Sequence, residues 1–244
     1  MKEQMNQLEG KKVIVLGGSS GIGLATAKAA GAYGAQLVIV SGNKDRINNA
    51  LKELPKGTIG SAVDLTSEEQ IKKFFDQTGA FDHLVFTAGE NLQLGTIDMT
   101  NIEDARRFFN VRYWGAVMAL KYGAPYISKD GSVVLTSGIV SRRPNKGWSL
   151  GASICAAMEG FTRAMAMELA PVRVNCVVPG VVKTNLWNNL SEEDRNNLYE
   201  QTRLSLPVKR IGVAEDIAKA YLYLLCQPYS TGQTIVVDGG AVLV

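Results

Sequence analysis

The sequence predicts an α/β fold, a doubly wound parallel sheet with helices on both faces. Three observations predict it. Short apolar runs recur along the chain, each followed by a stretch of helical periodicity. The runs are apolar throughout rather than alternating, the pattern of strands buried on both faces. A glycine-rich turn follows the first run directly and opens the first helix, as at the ligand-binding edge of such a sheet.

The elements follow in order. Val13–Leu16 reads as a strand, Gly21–Tyr33 as a helix, Leu37–Val40 as a second strand and Lys44–Leu54 as a polar helix. Ile59–Val63 is a third strand. Thr66 and Glu69 have the spacing of a capping box, opening a helix to Thr78. Leu84–Phe86 is a fourth strand, and Thr100 with Glu103 caps a long helix to about Ala119. Ser132–Thr136 is a fifth strand, Ser153–Leu169 a helix and Val172–Val178 a sixth strand. Asn185–Ser205 is polar and helical, with Ser191 and Asp194 as a further capping pair. Glu215–Leu225 is a helix and Gln233–Val237 the last strand.

At 244 residues the chain is long enough for one large domain and short for two. No Gly/Ser/Pro-rich linker or internal repeat divides it, so residues 1–244 read as one domain. Net charge is +3 without a basic block, which gives no pointer to nucleic acid. Cys155, Cys176 and Cys226 are isolated and odd in number, which argues for a reducing compartment and against a disulfide or zinc framework. Met1–Gly10 carries no apolar signal core, and no apolar run is long enough to span a membrane. The expectation is a cytoplasmic protein with no metal, membrane or nucleic-acid partner and an unknown small-molecule substrate.

The turn Gly17-Gly18-Ser19-Ser20-Gly21-Ile22-Gly23 sits between strand and helix, as in a Rossmann-type dinucleotide site. Gly17 permits the tight turn, Gly21 a close backbone approach to a pyrophosphate, and Gly23 close packing of helix on strand. The helix N-terminus offers amide hydrogens and positive dipole.

With these motifs the sequence resembles the short-chain dehydrogenase/reductase family. Gly17–Gly23 is similar to that family's TGxxxGIG turn, and Asp64-Leu65 to its adenine-holding pair. Thr87-Ala88-Gly89 is similar to its NAG motif and Asn110 to its active-site asparagine. Pro179-Gly180-Val181-Val182-Lys183-Thr184 resembles the PGxxxT turn that grips the nicotinamide carboxamide. Ala164–Asn175, Thr231-Gly232-Gln233 and Asp238-Gly239-Gly240 resemble further family segments in the same order. The resemblance implies a cofactor site made of Gly17, Ser19, Ser20, Gly21, Ile22, Gly23, Ser41, Asn43, Lys44, Asp64, Leu65, Ala88, Gly89, Pro179, Gly180, Val182 and Thr184. No acidic residue stands at the tip of the second strand, where Ser41-Gly42-Asn43-Lys44 is followed by Arg46. That favours NADP(H) over NAD(H), because an acid there repels the 2′-phosphate. The arginine that the family often carries at position 42 is a glycine.

The resemblance also implies what is missing. The family's Tyr, Lys and Ser fall on Gly151, Cys155 and Gly138. No shift of register restores the pair, since no tyrosine lies between Tyr126 and Tyr199 and no lysine between Lys146 and Lys183. Asn110 is the one residue of the four that remains, and it also reads as a structural asparagine. Ser137 is a candidate for bonding a substrate oxygen, or a strand-end serine bonding backbone. Tyr113 shares a helix face with Asn110 and reads as a relocated acid or as packing. Arg142 and Arg143 line a substrate mouth or are solvated. Cys155 reads better as a buried thiol than as a nucleophile, because the sole histidine, His83, lies at the far end of its strand. Residues 185–210 correspond to the family's substrate lid, where Trp187, with Trp148, either walls a pocket or packs.

Two functions stay open. One is an NADP(H)-dependent carbonyl or alcohol oxidoreductase with a non-standard proton donor. The other is a catalytically inactive dinucleotide-binding sensor or partner subunit. The family habit and the apolar tail Gly240–Val244 imply a homo-oligomer, a tetramer or dimer.

Overall fold

A computed structural model describes residues 7–92 and 94–244. Among these, seven parallel strands form one sheet: β1 (Lys12–Leu16), β2 (Gln36–Ser41), β3 (Ile59–Ala62), β4 (Phe81–Phe86), β5 (Ile127–Thr136), β6 (Arg173–Pro179) and β9 (Thr234–Val237). Their spatial order is β3-β2-β1-β4-β5-β6-β9. The order reverses direction between β1 and β4, so a crevice opens above the carboxyl ends of these two strands.

Alternate side chains of each strand leave opposite faces. Val13 and Val15 of β1 join Leu37 and Ile39 of β2 under helices α1 (Gly21–Ala32), α2 (Lys44–Leu51) and α8 (Ala214–Cys226). Ile14 and Leu16 join Val38 and Val40 on the other face, under α3 (Glu68–Thr78), α5 (Ala116–Gly123) and α6 (Ser149–Glu168). All eight strand residues are at most 3% exposed. Burial of each contributes roughly 1.5–3 kcal/mol, which is why the apolar runs are continuous.

The structure corrects several boundaries. Ser67, not Thr66, caps α3 by accepting from the Gln70 N–H; Thr66 is held back because its N–H and hydroxyl both donate to Asp64 Oδ1, at 2.9 and 2.7 Å. The long helix from Thr100 is instead α4 (Ile102–Phe108), capped by Asn101, then a π-helical segment Asn110–Gly115, then α5. The Thr100 hydroxyl turns back to the Thr96 carbonyl. Helix α6 begins at Ser149, one turn before the expected start. The polar segment after Thr184 is a short 3₁₀ turn, Asn185–Trp187, followed by α7 (Glu192–Ser205), which Ser191 caps through the Asp194 N–H. A two-stranded ribbon of β7 (Val182–Lys183) and β8 (Gly212–Val213) was beyond the reach of periodicity at two residues each.

His83 lies inside β4, 5% exposed, with Nδ1 2.9 Å from the Ser132 hydroxyl. Burial pushes its pKa down from 6.5 to about 4, so the folded state keeps it neutral. The unfolded chain takes up a proton near 6.5 while the folded one resists until about 4, so stability is lost as pH falls through that window. At about 1.4 kcal/mol per unit, the loss approaches roughly 3 kcal/mol. Urea denaturation at either end of the window is expected to show this loss, and His83→Asn to reduce it. An equal loss in both proteins would assign acid sensitivity to other groups.

Candidate functional site

The crevice at the β1/β4 reversal is a cavity of about 360 Å³. Its floor is the turn between β1 and α1. Gly17 has φ +89°, and a Cβ there would lie 2.6 Å from the Ala88 nitrogen. At Gly23 a Cβ would stand 2.2 Å from the Gly17 carbonyl oxygen and 2.4 Å from the Thr87 hydroxyl. Only glycine lets the turn, the helix and the end of β4 come this close. Ser20, at the head of α1, makes no capping bond through its side chain, and no acidic residue occupies the first turn. The helix N-terminus therefore faces the cavity without a side-chain counter-charge.

Gly17, Ser19, Ser20, Gly21, Ile22 and Gly23 all line this cavity, as do Ser41, Asp64, Leu65, Ala88, Gly89, Ser137, Pro179 and Thr184. The fold brings them together from six different connections. Thr184 reaches over the turn: a Cβ on Gly21 would be 3.4 Å from its Cγ2.

Five expected residues do not line it. Asn43 caps α2, its side chain accepting from the Arg46 N–H at 2.9 Å. Lys44 starts α2 on the exposed surface, and Arg46, two residues on, lines the cavity instead. Gly180 packs against Asp238, whose Cα would lie 2.8 Å from a Cβ there. The Val182 side chain is 5% exposed and part of the core, while its carbonyl accepts from Trp187 Nε1 at 2.9 Å. Asn110 opens the π segment, but Val111 and Arg112 are the residues of that segment at the cavity.

Ser137 is 2% exposed and lines the cavity. Its hydroxyl lies 2.9 Å from the Cys155 carbonyl oxygen and 3.1 Å from Glu159 Oε1, and its one proton serves either acceptor. Glu159 Oε1 also accepts from the Ser141 hydroxyl, and Oε2 pairs with Arg142 at 3.0 Å. Sequence reasoning missed Glu159, which is two turns from Gly151 on the stripe Gly151, Cys155, Glu159 of α6. Arg142 is thus spent on Glu159, and Arg143 is exposed. Burial pushes the Cys155 thiol pKa up, opposed by the Arg112 cation; the thiol stays protonated and unreactive at neutral pH. Tyr113 packs edge-on with Phe109, Trp114 and Phe161 and does not line the cavity. Trp148 and Trp187 pack on each other at 6.2 Å, beside a segment that offers Asn185, Leu186 and Asn188 to the cavity.

Residues 17–242 match the family described as enoyl-(acyl carrier protein) reductase. A short-chain dehydrogenase/reductase of Acremonium, ucsE, is 33% identical, covering 98% of this chain and 97% of that protein. The chain belongs to the short-chain dehydrogenase/reductase family. Solved members share its architecture. A small-chain dehydrogenase crystallised with NADPH is 36% identical with a TM-score of 0.83, covering 97% of this chain and all of that one. The MalC reductase/Diels–Alderase of Malbranchea aurantiaca is 28% identical with a TM-score of 0.91, covering 99% and 100%. A short-chain dehydrogenase/reductase architecture accounts for the parallel sheet, the reversal point and the cavity above it. No helix among the described residues is long and apolar enough to cross a membrane.

Proposed function

We propose that this chain is an NADP(H)-dependent carbonyl or alcohol oxidoreductase that works without the family's Tyr–Lys pair. The observation that carries the reading is the cavity itself. It runs from Ser41 and Arg46, past the glycine turn, to Thr184 and Ser137, a lining of glycines, polar groups and a few apolar side chains that supports a dinucleotide. Arg46, in the first turn of α2, lines the cavity beyond the tip of β2, and the turn Ser41–Lys44 carries no acid, although Asp45 precedes it in the helix. That favours a 2′-phosphate. The NADPH carried by a 36% identical structural relative supports the same cofactor.

The residues fit the group. The close approach at Gly17 and Gly23 would offer a pyrophosphate a backbone cradle, and Asp64 and Leu65, which line the cavity, would flank the adenine. When bound, the reduced nicotinamide supplies hydride to a carbonyl carbon. The chain's own part is orientation and a proton. Gly151 has no side chain to give one, and Cys155 is a neutral thiol, so Ser137, connected to Glu159, and water are the proton route that remains. Losing a positioned phenol costs about 10²- to 10⁴-fold, so turnover is slow rather than absent.

The test follows NADPH absorbance against a broad panel of aldehydes and ketones. Slow turnover is expected, with Arg46→Ala raising KM for NADPH about tenfold or more through loss of a charge-assisted bond and leaving kcat unchanged. A flat trace across the panel with the cofactor bound would instead favour the non-catalytic sensor or partner subunit.

A further inference from the structure

Arg112 is a cation at the cavity that no ion pair among the described residues consumes. It sits in the π segment Asn110–Gly115, and its side chain lines the cavity. The guanidinium lies on the backbone of Gly89, where a Cβ would stand 2.5 Å from Nη2 and 2.7 Å from Nε. Glycine at 89 is what admits it. Nη2 reaches the Glu90 carbonyl only at 3.3 Å. Nε is buried and has no hydrogen-bond partner among the described residues. No carboxylate among them lies within 4 Å of Arg112; the neighbouring Arg106, Arg107 and Arg142 are all paired. A buried N–H left without an acceptor is costly, so it marks a place where a ligand oxygen belongs.

The neighbour on the other side is the Cys155 thiol, whose Sγ would lie 3.2 Å from a Cβ on Gly138. The stripe of α6 that faces Ser137 therefore carries no cation of its own at 151 or 155. Arg112 brings one to the same place from the opposite wall. Its charge survives burial, and its planar fork of N–H groups suits two adjacent oxygens.

We propose that Arg112 holds the nicotinamide-side ribose hydroxyls, taking from the π segment before α5 the task that family resemblance gives to a lysine at position 155. The proposal rests on the NADP(H) reading above. Within the π segment, Val111 and Arg112, not Asn110, are the residues at the cavity.

Calorimetric titration of the whole chain tests this with two ligands. NADPH carries both riboses; adenosine 2′,5′-bisphosphate carries only the adenine-side one. Arg112→Ala is expected to weaken NADPH binding about 10- to 100-fold, the range for a charge-assisted hydrogen bond, and to leave the bisphosphate unchanged within twofold. Arg112→Lys is expected to recover part of the loss, and Cys155→Lys added to Arg112→Ala to recover more. The melting temperature of Arg112→Ala is expected to stay close to that of the parent, because no ion pair is lost and the one direct hydrogen bond given up, to the Glu90 carbonyl, is long. NADPH binding unaltered in Arg112→Ala would overturn the proposal, as would an equal loss for both ligands, which marks a distorted cradle. A parent chain that binds neither ligand would overturn the NADP(H) reading instead.

Discussion

Gly151→Tyr raises NADPH-dependent carbonyl reduction about 10²- to 10⁴-fold over the parent chain, the range for a positioned general acid. The site has room for the first atom: a Cβ on Gly151 meets nothing closer than Val140 Cγ1 at 3.8 Å. Position 151 is one turn from Cys155 and two from Glu159, on the stripe that meets Ser137. A phenol there needs a nearby cation to lower its pKa, and Arg112 stands beside Cys155 to supply it. Rates on a simple ketone, with kcat and KM separated, check the expectation. The gain belongs in kcat, because a proton donor acts on the reacting oxygen rather than on cofactor binding. No gain in Gly151→Tyr, or in Gly151→Tyr with Cys155→Lys, would mean that α6 does not present this stripe to the reacting carbonyl.

Gly23→Val removes cofactor binding, with NADPH affinity falling at least about 100-fold, since the substitution moves backbone that the ligand must touch. Any side chain at 23 starts 2.2 Å from the Gly17 carbonyl and 2.4 Å from the Thr87 hydroxyl. Neither neighbour is the free end of a flexible chain. The turn must open, and overpacking of this kind costs roughly 1–3 kcal/mol in stability. Gly21→Ala is the comparison: its Cβ has 3.4 Å to Thr184 Cγ2, so space is tight but available, although φ +52° is strained for alanine. Calorimetry with NADPH and urea denaturation should order the two, Gly23→Val being worse on both. Parental affinity in Gly23→Val would place the pyrophosphate elsewhere.

The fold was legible wherever chemistry is continuous along the chain. Strands β1, β2, β4, β5 and β6 are apolar because both their faces are covered, and the turn at Gly17–Gly23 needs glycine at two points of backbone contact. What escaped depends on small local geometry. Asn43 was expected at the ligand but turns back to cap α2, which sends Lys44 outward and leaves Arg46 to line the cavity. Asn110 was expected at the site, but Val111 and Arg112 of the π segment are the residues that line the cavity, and no spacing announces the segment. Val182 lies in the expected turn, yet the β7–β8 ribbon turns its side chain into the core. Ser137 and Glu159 are neighbours only because β5 and α6 pack together, across 22 residues of sequence.

The central claim is that this cavity binds NADP(H) despite the glycine at 151 and the thiol at 155. A calorimetric or fluorescence titration of the unaltered chain with NADPH, and separately with NADH, tests it most directly. The account predicts saturable NADPH binding, at least about tenfold tighter than NADH as one charge-assisted contact to Arg46 requires. Binding of neither cofactor would contradict it, leaving a short-chain dehydrogenase/reductase scaffold whose task lies outside this crevice.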